Sequence, residues 1–224
     1  LTAAAEIAPV EIIRGNHDVS ADAGLFNGLR TAHPLRYHVC PNFPMRSVSD
    51  VLVRTRAGYA GIIAIPWFSR AYMAAQADAG ASIDDITRAV NAAAVKLLDA
   101  AGIAAEEIKA AGAIPILLHH GEVAGAAYSS GFRPFGETVC YTVEQLREVG
   151  AAYVALGHYH AAQEWEGGRI AYAGSIERRG FGEPEVKGWR LVEIEGGEFK
   201  SNTFVELPAR RIVLYETDWS EGEH

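Results

Sequence analysis

Four of the chain's eight histidines fall in two tight clusters, His119-His120 and His158-Tyr159-His160. Neutral imidazole is the commonest metal ligand near physiological pH. Residues two apart on an extended segment point the same way, so His158 and His160 can address one site. A third cluster, Gly15-Asn16-His17-Asp18, offers an amide oxygen, an imidazole and a carboxylate. Each has a bland reading: His-x-His can be a pair of half-exposed strand residues, Gly, Asn and Asp all favour turns, and a histidine pair at a strand end says little alone. All three clusters directly follow an apolar run, and together they point to a shared metal site. His33 and His38 lack ligand spacing and lie near Pro34 and Pro41 in a loop-rich stretch, so they read as surface residues. Glu122 reads as structural, and Trp67 and Phe68 read as core rather than as a base-stacking platform. Cys40 and Cys140 are far apart and in no CxxC pattern, which suits a reduced, cytosolic chain.

The elements that must position these clusters alternate. Residues 10–14 read as a strand ending in the first cluster, and 51–54 and 59–65 as two strands around a turn at Ala57-Gly58, stopped by Pro66. Ser82 caps a helix over 82–101, with Asp85 completing a variant capping box. Ile83, Ile86, Val90, Ala93 and Leu97 share one face of it. Gly102 is expected to end that helix, and a second helical piece covers 104–111. The apolar run 114–118 leads into His119-His120. Thr142 and Gln145 form a capping box for a helix over 142–149. A buried strand over 153–156 leads into the last cluster. Strands over 162–165 and 170–173 flank Gly167-Gly168, and strands over 189–194 and 198–205 flank Gly196-Gly197. Apolar strands alternating with helices imply an α/β layered fold with at least one buried sheet. In such folds sites assemble in the loops beyond strand C-termini.

With 224 residues, 49% of them hydrophobic, the chain is long enough for one core-bearing domain or a little more. No stretch approaches ~18 unbroken apolar residues, so no membrane span is expected. A formal net charge of −8 argues against a sequence-blind nucleic-acid binder, which is normally basic. It leaves room for an enzyme holding nucleic acid at metal ions, which bring positive charge of their own. Leu1 to Glu6 reads as the last turns of a helix whose beginning is missing and carries no secretory-signal pattern. The acidic run over 216–223 reads as a solvated tail.

Gly15-Asn16-His17-Asp18, the histidine after the apolar strand and Gly157-His158-Tyr159-His160 resemble, in type and order, the later motifs of the calcineurin-like metallophosphoesterases. The stretch Tyr172-Ala173-Gly174-Ser175-Ile176-Glu177-Arg178-Arg179-Gly180-Phe181-Gly182-Glu183, followed by Lys187-Gly188-Trp189, resembles the segment after GHxH in SbcD-type DNA-repair exonucleases. Phe204 to Arg211 is similar to their exit from the nuclease domain. The resemblance implies an α/β layered metallophosphoesterase fold with sheets flanked by helices, missing its first βαβ segment. Residues 1–207 would form the nuclease core, lacking its N-terminal motifs, and 208–224 an exit toward a truncated capping domain. It implies two divalent metal ions, most naturally Mn2+. Asn16, His119 and His158 would ligate one and His160 the other, with His119 preferred to His120. His17 would meet the leaving group and Asp18 would hold His17 in place. Arg178 and Arg179 would contact DNA phosphates, or else pair with Glu177 or Glu183. The implied partners are DNA, an SbcC-type ABC ATPase and a second copy in a homodimer, in the cytoplasm. The family's opening Asp-x-His and Gly-Asp motifs do not occur in this sequence. A small-molecule phosphodiesterase or phosphatase, or an inactive partner-binding fragment, are the other readings.

Overall fold

A computed structural model of the chain describes residues 1–18, 23–67, 82–129, 139–210, 212, 213 and 215. Phe68, Arg211, the side chain of Ile83 and the acidic run over 216–223 lie outside the described residues. Among the described residues the chain is mixed α/β. The strands that carry the histidine clusters form one six-stranded sheet, and the strand before Asn16 belongs to a separate pair.

The sheet is built from β3 (Leu52–Thr55), β4 (Gly58–Ile65), β5 (Ile114–His120), β8 (Tyr153–Gly157), β10 (Ile170–Tyr172) and β9 (Gln163–Trp165), side by side in that order. The inner four run parallel, and β3 and β9 close the edges antiparallel. Residues 60–65 of β4 are buried without alternation, as expected of a parallel strand covered on both faces. The register sets Ile65 beside His119, His119 beside Leu156 and His120 beside Gly157. The C-terminal ends of β4, β5 and β8 are therefore level, and His119, His120 and His158 emerge at one edge.

One expectation is corrected by the helix that covers this sheet. Gly102 does not end it: α3 runs unbroken through Ile83–Ala110, and residues 104–110 continue it rather than forming a second piece. An interior glycine costs about 1 kcal/mol relative to alanine. Burial outweighs that cost, because Ala101, Ala104, Ala105 and Ile108 all lie against the sheet. Gly61 of β4 makes the close approach possible, since a Cβ there would stand 2.5 Å from Ile108 Cγ2. Val90 is buried as expected, but the buried face then runs through Ala94, Leu98, Ala101, Ala105 and Ile108, one residue round from the expected Ala93 and Leu97, which are only half-buried. The Ser82/Asp85 capping box forms as expected. So does the Thr142/Gln145 box, which starts α4 (Val143–Glu148).

The N-terminal part begins with a short helix, α1 (Thr2–Ala5). Beyond it β1 (Val10–Ile13) pairs in parallel with β2 (Leu35–His38), and α2 (Ala23–Asn27) lies between them. The strand β2 corrects the loop reading of this stretch. Leu35 and Tyr37 alternate inward, and His38 is a strand residue whose Nε2 lies 2.7 Å from Glu11 Oε2. Two links bind this pair to the main sheet at the site end: Trp67 N–H donates to Arg14 O at 2.9 Å, and the Arg14 guanidinium donates to Trp67 O at 2.7 Å. The short strands β6 (Glu122–Val123) and β7 (Cys140–Tyr141) pair in parallel after β5. A long hairpin of β11 (Gly188–Glu195) and β12 (Glu198–Glu206) follows β10. It is tied back where Arg190 Nε donates to Tyr172 O at 2.9 Å and Asn202 Nδ2 to Gly168 O at 2.7 Å. No helix among the described residues is long and apolar enough to cross a membrane.

Candidate functional site

Adjacent residues on a strand face opposite ways, and His119 and His120 divide on that rule. His119 is buried; its Nδ1 stands 3.1 Å from Ile65 O and its ring lies edge-on to Tyr141. A carbonyl only accepts, so Nδ1 carries the proton and the lone pair sits on Nε2, which is buried without a hydrogen-bond partner. His120 turns toward β1. Its Nε2 lies 3.0 Å from Asn16 Oδ1 and 3.4 Å from Asn16 N, although the two residues are 104 positions apart. Two glycines admit that ring: a Cβ on Gly15 would come within 2.8 Å of His120 Cε1, and one on Gly157 within 2.9 Å of its Nδ1.

His158 completes the group, though not by strand geometry. It sits at φ 116° just past β8, a left-handed conformation uncommon for a residue with a Cβ and often found where function constrains the backbone. Its ring stacks on Trp67 with centroids 5.0 Å apart, and His120 meets it edge-on at 5.4 Å. Its Nε2 lies 3.7 Å from Glu122 Oε1. The extended-segment argument for His158 and His160 does not hold across this bend. The side chain of His160 goes to Glu183 instead, with Nδ1 and Oε1 2.7 Å apart.

The structure therefore brings together Asn16, His120 and His158 around Trp67, from the ends of β1, β5 and β8. His119, the residue expected there, faces the other way. His17 and Asp18 are exposed at the rim. His17 is near enough for its charge to bear on both His120 and His158. Asp18 Oδ2 accepts from Gly15 N–H at 2.7 Å and so braces the turn that presents Asn16. The Arg178 guanidinium donates to three carbonyl oxygens, of Glu183 (3.0 Å), Arg210 (2.9 Å) and Glu185 (3.1 Å). Arg179 N–H donates to Glu183 Oε2, and its side chain is exposed.

Three residues of this neighbourhood were not singled out from sequence as site residues. Trp67, read as core, is the half-buried wall between two histidines. Glu183 and Lys187 lie inside the segment similar to the exonucleases, and nothing in the local pattern marks them as reaching His160. Burial opposes ionisation of Glu183, but hydrogen bonds from Lys187, His160 and Arg179 N–H outweigh it and hold its pKa below the ordinary carboxylate range.

Burial also favours the neutral form of His119, His120 and His158. It lowers His119 to about 4, against the partial opposition of its bond to Ile65. Burial and then the neighbouring His158 and His119 lower His120 to about 3. His158 is lowered too, by burial, with Glu122 opposing. Neutral imidazole is the form that accepts a cation. Asn16 Oδ1 and His120 Nε2 stand 3.0 Å apart, so once the ring proton of His120 moves to Nδ1 both can reach one ion at bonds of about 2.1 Å. A nitrogen-and-oxygen set without thiolate suits Mn2+ or a similar divalent ion. Among the described residues no three His, Cys, Asp or Glu side chains already stand close enough to hold an ion.

These pKa values carry a stability prediction. The unfolded chain takes up protons near pH 6.5, whereas the folded rings resist them down to about 4 and about 3. Stability is thus complete above pH 6.5 and is lost as pH falls toward the depressed folded values. His119 alone should account for on the order of 3 kcal/mol. Urea midpoints should already fall between about pH 6.5 and about pH 5, above the range of ordinary carboxylates. A flat midpoint across that interval would contradict the buried, neutral assignment. No family model matches the chain, and no curated protein matches it.

Proposed function

We propose that the chain is the metal-binding core of a calcineurin-like metallophosphoesterase of the SbcD type, a Mn2+-dependent nuclease that hydrolyses DNA phosphodiesters. The observation that carries this reading is the meeting of Asn16 and His120 at 3.0 Å, with His158 edge-on to His120 at 5.4 Å, from three separate strand ends. That convergence is what a GNHD turn, a strand-end histidine and a GHxH turn are for in the enzymes they resemble. The mixed α/β sheet is compatible with the layered fold of that family.

In this reading Asn16, His120 and His158 hold one divalent ion, and His160, braced by Glu183, serves a second. Ions held there would supply Lewis-acid polarisation of a scissile phosphate and acidification of a water molecule. The chain's own residues do the rest. His17, at the exposed rim, gives a proton to the departing oxygen, while Asp18 fixes the turn on which His17 sits. Trp67 packs against both His120 and His158 and shields them from water on one side. Arg178 holds the 178–185 loop through its carbonyl bonds, which leaves Arg179 as the arginine of that pair to meet phosphate. An SbcC-type ATPase partner, a homodimer and a cytoplasmic location belong to the same proposal.

The test uses the full-length protein with linear duplex DNA. Degradation should require Mn2+ and fall by roughly 10²–10⁴-fold in His17→Ala. A full-length protein that leaves DNA intact but cleaves small phosphodiesters would move the assignment to a nucleotide phosphodiesterase. One that binds no divalent ion would leave only a partner-binding role.

A further inference from the structure

The side chain of Lys187 is wholly buried, an uncommon place for an ammonium. Its Nζ donates to Glu183 Oε2 at 2.7 Å and to the backbone carbonyl of His160 at 3.2 Å. The other oxygen of the same carboxylate, Oε1, lies 2.7 Å from His160 Nδ1. His160 is thus gripped at two points, backbone and ring, by one buried ion pair. A third contact fixes the same turn, where Ser175 N–H donates to His160 O at 3.1 Å. An ionised carboxylate can only accept, so the Nδ1 it faces must carry the proton, and the lone pair of the neutral ring falls on Nε2. Neither partner is close to His160 in sequence, and packing a Lys–Glu pair in the interior stabilises little compared with apolar residues of the same volume. The arrangement gains something else: one tautomer and one ring orientation.

We propose that Glu183, locked by Lys187, is a positioning residue that holds His160 as its Nδ1–H tautomer so that Nε2 is presented to a divalent cation. The cation part of this rests on the reading given under Proposed function. The tautomer part rests on the hydrogen bonds alone. Carboxylates behind metal-ligating histidines play this part generally, and their loss weakens metal binding by about 10–100-fold.

The substitution Glu183→Gln separates positioning from bulk. Lys187 and Arg179 N–H both donate to the Oε2 position, so the amide oxygen of the new side chain must sit there. Its NH2 then faces His160 Nδ1. That nitrogen has to accept, and the ring proton moves to Nε2. Side-chain ¹⁵N spectra of the whole chain, read through long-range couplings to the ring protons, report which nitrogen is protonated. Nδ1–H is expected in the native protein and Nε2–H in Glu183→Gln, with Mn2+ affinity by calorimetry falling about 10–100-fold. A native ring protonated on Nε2 overturns the proposal, and this spectrum decides even where the variant does not fold. A flipped ring with unchanged Mn2+ affinity overturns the positioning role. If the native chain binds no Mn2+ while its ring is Nδ1–H, the metal reading falls and takes the positioning role with it. The tautomer assignment then stands alone.

Discussion

His120→Ala is expected to weaken Mn2+ binding by more than about 100-fold, since even losing a group behind a ligand costs about 10–100-fold. His119→Ala, one residue away, is expected to leave binding within a few-fold of native. The contrast follows from the two faces of β5. The His120 ring reaches Asn16 at 3.0 Å and packs edge-on against His158 and Trp67. The His119 ring turns to Ile65 O and Tyr141. Losing His119 should instead lower the urea midpoint, because a buried ring is replaced by a void. Calorimetric Mn2+ titration of both variants, alongside unfolding curves, reads the two effects separately. The reverse pattern, with affinity lost in His119→Ala and kept in His120→Ala, would show that β5 presents its other face to the site.

Lys187→Met is the substitution with the largest expected effect on stability, about 3–5 kcal/mol, because it strands a buried carboxylate without its cation. Glu183 is almost wholly buried, and the Lys187 ammonium stands 2.7 Å from its Oε2. Methionine fills nearly the same volume, so the loss is electrostatic rather than a cavity. For a chain of this size that corresponds to a Tm drop of about 10 °C. Adding Glu183→Gln to Lys187→Met should recover a good part of the loss, since no uncompensated charge is then buried. Differential scanning calorimetry of the single and double variants measures both numbers. A Lys187→Met protein that melts with the native one would mean that the pair is open to water.

Much of this chain can be read without its coordinates, and the reason is locality. The Ser82/Asp85 and Thr142/Gln145 capping boxes depend on residues three apart, so they form as the sequence predicts. The apolar runs of β4, β5 and β8 are legible because a parallel strand buried on both faces needs unbroken hydrophobicity. The clusters after β5 and β8 can be located as strand ends on the same grounds, whereas β1, before the third, is only half-buried and contains Glu11. Where the reading failed, a distant partner decided. Gly102 would end an isolated helix, but α3 continues because Ile108 packs where Gly61 leaves room. His38 reads as a loop residue until β2 pairs with β1 and Glu11 comes alongside.

The same division runs through the site. The types of residue that could hold a cation, and their order along the chain, are properties of the sequence, because donor chemistry belongs to the side chain. Which histidine of the His119-His120 pair meets Asn16 is not, because a strand of period two offers one to each face and only the docking of β1 selects between them. Nor could the His158-Tyr159-His160 spacing reveal that φ 116° at His158 breaks the extended path and sends His160 to Glu183. The buried Lys187 and the Trp67 wall, likewise, exist as site features only once chain segments far apart in sequence are packed together. Residue types supply a set of nitrogen and oxygen donors at strand ends, and packing selects which of them converge, because convergence is set by register, facing and backbone turn rather than by side-chain chemistry.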